Sequence, residues 1–76
     1  MKVTSQFTAA SVKIYINNIL HIHFERSKFL GLSSWQYSSE GGLYYIEITL
    51  QGGIISTDYD QEVIWLTILA ELDKLR

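Results

Sequence analysis

Residues 44–75, YYIEITLQGGIISTDYDQEVIWLTILAELDKL, change their hydrophobic period midway, and that change decides the fold class. From Tyr44 to Leu50 the pattern alternates. Tyr44, Ile46, Ile48 and Leu50 fall on one side, and Tyr45, Glu47 and Thr49 on the other, as in a strand with one buried face. Gln51-Gly52-Gly53 supplies turn residues, and Ile54 to Thr57 reads as a short following strand. Beyond it the period lengthens to that of a helix. Ile64, Trp65, Ile68, Leu69, Leu72 and Leu75 line up as one broad apolar stripe. Asp58 is the expected N-cap, with Gln61 at the partner position of a capping box. Asp60 and Glu62 suit the positive end of the helix dipole, and Lys74 and Arg76 the negative end.

Working back toward the N-terminus, Glu40-Gly41-Gly42 reads as a hairpin turn, preceded by a strand over about 33–39 that carries Trp35 and Tyr37. Residues 26–32 break the period and read as a loop with buried anchors. Val12, Ile14 and Ile16 alternate with Lys13 and Tyr15, and Leu20, Ile22 and Phe24 alternate with Ile19, His21, His23 and Glu25. Asn17-Asn18 between these runs tolerates the positive φ that a two-residue hairpin turn requires. Residues 1–11 are either frayed or an edge strand. The expectation is a single α+β domain over residues 1–76. An antiparallel β-meander of four to five strands is packed on one face by a single C-terminal amphipathic helix.

Composition limits the function classes. The chain has 76 residues, no cysteine and no proline, and 6 Lys+Arg stand against 8 Asp+Glu for a net charge of −2. Without cysteine there are neither disulfides nor thiolate metal sites. The scattered cations do not form the basic stripe of a phosphate binder. The N-terminal residues lack the apolar run of a signal peptide, and no stretch approaches the ~18 apolar residues of a membrane span. The expected setting is the cytoplasm. Surface scaling gives roughly 12,800 Å² for the unfolded and 4,800 Å² for the folded chain, and burial of the apolar ~60% of the difference stabilises by about 120 kcal/mol. Ordering the chain costs about the same, so a partner subunit is an expected source of further stability.

Four residues on the helix stand outside the core stripe. Val63, Leu66 and Ala70, with Thr67 beside them, form a second stripe on the opposite side. A helix lying on a sheet needs one apolar face, so a second one suggests contact with another chain, although single exposed apolar residues are ordinary. His21, His23 and Glu25 recur at spacing two, which in a regular strand puts all three on one face and makes them weak candidate metal ligands. Glu47 would join them if its strand lay alongside. Tyr15, His21, His23, Glu25, Tyr45 and Glu47 together make a possible ligand face on the polar side of the sheet. The same residues equally describe a solvated sheet surface.

Strands followed by a C-terminal helix resemble, in element order alone, the small single-strand-binding transcriptional coactivators. That resemblance implies base stacking on sheet aromatics, supported by lysine and arginine along the strands. Here only Lys13 lies in the best strands, so nucleic acid is a poor fit. The glycine pairs lack the surroundings of a phosphate loop, and nothing assembles a catalytic triad. The leading expectation is a non-catalytic protein-binding module, homodimeric, without cofactor, acting as a regulator, inhibitor or accessory factor. The alternatives are a single-stranded nucleic-acid binder and a His-x-His-x-Glu metal protein.

Overall fold

The computed structural model describes residues 1–37 and 42–75. The class is α+β: six antiparallel strands in two three-stranded sheets, with one C-terminal helix. The first sheet is a meander of β1 (Val3–Phe7), β2 (Ser11–Ile16) and β3 (Ile19–Glu25). A 3-10 turn at Arg26–Lys28 leads into the second meander: β4 (Phe29–Gln36), β5 (Tyr44–Leu50) and β6 (Gly53–Tyr59). Helix α1 spans Glu62–Leu72.

The hairpin between β2 and β3 forms where the paired asparagines place it. Asn17 and Asn18 adopt φ of 51° and 66°, the two positive values a tight hairpin turn requires. The Asn17 side-chain oxygen also accepts from the Lys2 backbone N–H at 3.0 Å, which ties the start of β1 to the turn. Of the two readings of residues 1–11, the edge strand is the one found: β1 pairs with β2 from Val3–Ile16 to Phe7–Val12. Gly52, at φ 91°, occupies a backbone region that residues with a Cβ rarely adopt and turns β5 into β6. The expected turn at Glu40-Gly41-Gly42 lies mostly outside the described residues, and only Gly42, at φ 56°, is placed.

The expected single sheet is instead divided in two, and the strands number six. Val12, Ile14, Ile22 and Phe24 from the first sheet and Ile46, Ile48 and Tyr59 from the second share one core with Ile64, Ile68 and Leu72 of the helix. Helix α1 packs on β5, β6 and β1, so it bridges the two sheets. Total accessible surface is 4776 Å², in line with a folded chain of this size.

Two local expectations are corrected. Asp58 is no N-cap: it lies in β6 opposite Tyr45, because Tyr59 beyond it is buried against the core and holds the strand straight for two more residues. The N-cap position falls to Gln61, with extended backbone and no side-chain capping bond. The loop expected at 26–32 is mostly strand, since β4 begins at Phe29. At the helix C-terminus, Lys74 belongs to a closing 3-10 turn, Asp73–Leu75, and pairs with Glu71, whereas Arg76 lies outside the described residues.

Tyr59 carries a consequence for stability. Its hydroxyl and that of Thr57, two residues earlier on the same strand face, are buried with no well-formed hydrogen bond among the described residues. Burial pushes the Tyr59 phenol above its ordinary value near 10, against a smaller opposing effect of the neighbouring Thr57. Below that pH the phenol is neutral in both folded and unfolded chains. As pH rises through it the unfolded chain ionises first, and stability falls. Tyr59→Phe is therefore expected to be neutral or to stabilise by about 1 kcal/mol at pH 7 and to flatten the loss of stability above pH ~10. Urea midpoints across that range check both.

Candidate functional surfaces

Two exposed surfaces emerge, one on the helix and one on the second sheet. The helix presents Ile64, Ile68 and Leu72 inward, fully or nearly fully buried, with Trp65, Leu69 and Leu75 packed at the margin. On the opposite side Val63 is 67% exposed and Leu66 50%, with Thr67 and Ala70 also exposed. The Thr67 hydroxyl donates to the Val63 carbonyl at 2.6 Å, which satisfies its polar atom within the helix and leaves the stripe mainly apolar.

The possible ligand face is broken up. Tyr15, His21, His23 and Glu25 belong to the first sheet, and Tyr45 and Glu47 to the second. Glu47 lies between Ser33 and Ser56, so its strand never runs beside the histidines. A β-bulge separates the histidines themselves. Ile14 pairs with Ile22 but Tyr15 pairs with Leu20, leaving His21 as the extra residue. The regular alternation expected through Leu20, Ile22 and Phe24 stops there, and Leu20 shares the outer face with Tyr15. The His21 ring sits 5.4 Å from that of Tyr59, a core residue, while His23 stays opposite Lys13 and Glu25 opposite Ser11. Among the described residues no three His, Cys, Asp or Glu side chains gather closely enough to hold a metal ion. Arg26 and Lys28, two residues apart, are engaged locally. The Arg26 guanidinium donates to the Thr8 carbonyl at 3.2 Å, and Lys28 lies 3.8 Å from the Glu25 carboxylate.

The second surface centres on Tyr45. Register places Trp35 and Asp58 on either side of it, with Ser33, Glu47 and Ser56 two residues further along the same outer face. Trp35 is 42% exposed, its ring 4.3 Å from that of Tyr45 at a tilt of 36°. Tyr37, 39% exposed, meets Tyr45 edge-on at 6.2 Å. The Tyr45 hydroxyl donates to the Glu47 carboxylate at 3.2 Å and shares a hydrogen bond with the Ser56 hydroxyl at 2.8 Å, so the central ring is fixed at its polar end. From behind, the Trp65 indole N–H donates to the Tyr45 carbonyl at 3.1 Å, while its ring packs on Tyr44 at 5.1 Å. The Tyr44 hydroxyl in turn donates to Glu62 at 3.4 Å. Desolvation, reinforced by the Glu62 charge, raises the Tyr44 phenol.

Trp35, Tyr37, Asp58 and Ser56 were not gathered into one site from the sequence. The signal lay in the register of β4 on β5 and β5 on β6, which pairs Trp35 with Tyr45 and Tyr45 with Asp58. The described residues enclose no pocket, so both surfaces are open. No helix among them is long and apolar enough to cross a membrane. Comparison with family models, curated proteins and solved structures finds no match.

Proposed function

We propose that this chain is a non-catalytic protein-binding module that self-associates through the outer face of α1 and acts as a small regulator, inhibitor or accessory factor in the cytoplasm. The observation that carries this reading is the helix's second apolar stripe. Val63 and Leu66 are more than and about half exposed, although the opposite stripe already closes the core. A second copy is the natural occupant, because a two-fold axis lets one stripe cover its own counterpart. A standard interface hides about 800 Å² per partner, which is roughly a sixth of the 4776 Å² this chain exposes. For a domain whose burial and ordering terms nearly cancel, that is a substantial addition.

Size exclusion with light scattering across micromolar concentrations tests the proposal. The expected mass is twice 8.8 kDa. Leu66→Glu is expected to return the mass to that of one chain, since a pair of carboxylates facing each other across the axis is desolvated without a partner. In the single chain the substitution is at an exposed site and shifts stability by only about 0.5 kcal/mol. A wild-type mass of one chain at every concentration overturns self-association.

A further inference from the structure

We propose that the outer face of the β4–β5–β6 sheet binds an arginine-bearing, positively charged peptide segment. This face is opposite the one α1 covers, and the proposal is independent of helix self-association. Three observations converge on it. Trp35 of β4 and Tyr37 just beyond it expose ring surface on the same side of Tyr45, whose hydroxyl is held by Glu47 and Ser56, so the central ring is fixed rather than free to fold away. Apart from the tyrosine phenols, the ionisable groups that strand register places on this face are the carboxylates of Glu47 and Asp58, with no lysine or arginine among them. The rings of Trp35 and Tyr45 touch each other, so they form a ridge and leave no gap for a ligand to enter between them.

These features select the ligand. Guanidinium planes stack on exposed indole and phenol faces and are attracted by the ring quadrupole. A carboxylate beside the ring takes the N–H fork of the same side chain. Phosphate backbones meet only negative charge here, which disfavours nucleic acid despite the aromatic rings. An open face without a pocket suits an extended segment better than a small molecule, which requires a concavity.

The test is fluorescence anisotropy with a labelled tetra-arginine peptide at low ionic strength, with tetra-lysine, tetra-glutamate and a single-stranded oligonucleotide as comparisons. Saturable binding is expected in the micromolar range, weaker for the lysine peptide and declining with added salt. Trp35→Ala is expected to weaken it about tenfold, and Glu47→Gln combined with Asp58→Asn severalfold. Leu66→Glu is expected to leave the affinity unchanged, which separates this site from the helix interface. Circular dichroism confirms folding of each variant. If Trp35→Ala does not fold, the carboxylate pair decides alone, and an unchanged affinity there overturns the proposal. So does absence of saturable binding of the arginine peptide, equal affinity in a folded Trp35→Ala, or preference for the glutamate peptide or the oligonucleotide.

Discussion

Ile68→Ala is expected to remove about 2–5 kcal/mol of stability. Ile68 is fully buried midway along α1, one turn from both Ile64 and Leu72, at the point where the helix closes the core shared by the two sheets. The truncation removes three carbons from a fully buried position, and the strands that share the core are held by ladder hydrogen bonds, which limits how far the site can collapse. Domains of this length have roughly 4–11 kcal/mol in total, so a loss of about 3 kcal/mol lowers the melting temperature by about 12–24 °C. Leu66→Ala, two positions earlier on the opposite side, is expected to shift the stability of the single chain by no more than about 0.5 kcal/mol. Urea unfolding of both variants at low protein concentration checks the contrast. Equal losses would mean that the two helix faces have been assigned wrongly.

That contrast was legible before any coordinates. The stripe Ile64, Ile68, Leu72 falls at helical spacing, and the structure buries those three while exposing Val63 and Leu66. The strand Tyr44–Leu50 and the asparagine turn were equally plain, because each depends on local pattern alone. Two of the departures share one cause. A bulge inserts one residue and reverses which side every later residue faces. At His21 the bulge divides the apparent His-x-His-x-Glu face. At Leu30, between Phe29 and Gly31, a second bulge sets Phe29 and Leu32 three apart while both pack on the core, so the start of β4 shows no alternation and reads as part of a loop. The extra residue, Leu30, is exposed. Period-two reading cannot detect an insertion whose own side chain is apolar.

The start of the helix was missed for a different reason. Asp58-Tyr59-Asp60-Gln61 has the residue types of a cap, but Tyr59 is buried opposite Tyr44 and keeps the chain extended. Tertiary burial of one large side chain outweighs a capping bond of about 1 kcal/mol. The aromatic face required still more remote information. Trp35, Tyr45 and Asp58 are ten and thirteen residues apart in sequence and become neighbours only through pairing register. The division into two sheets also depends on chain direction at the 3-10 turn of Arg26–Lys28, where no glycine or proline marks a break.

Trp65→Ala is the second substitution with a large expected effect, about 3 kcal/mol, the lower end for a buried tryptophan because this ring is only partly buried. Two contacts are lost together: the ring packed on Tyr44 at 5.1 Å and the indole N–H donated to the Tyr45 carbonyl at 3.1 Å. Trp65→Phe separates them. It keeps a smaller aromatic ring against Tyr44 while removing the donor and part of the indole volume, so a loss of about 1–2 kcal/mol is expected, the rest of the ~3 kcal/mol being packing that only alanine removes. Urea midpoints for the wild type and both variants give the two parts. The phenylalanine variant has a further use, because the chain contains two tryptophans and Trp35 is then the only tryptophan emitter. Trp35 touches Tyr45 on the outer face, while Trp65 holds the same residue's backbone from the helix side. If the helix positions the outer aromatic face through this one carbonyl, losing the N–H shifts Trp35 emission and weakens the arginine-peptide affinity in parallel. If strand pairing alone positions that face, stability falls while the emission maximum and the affinity stay where they were.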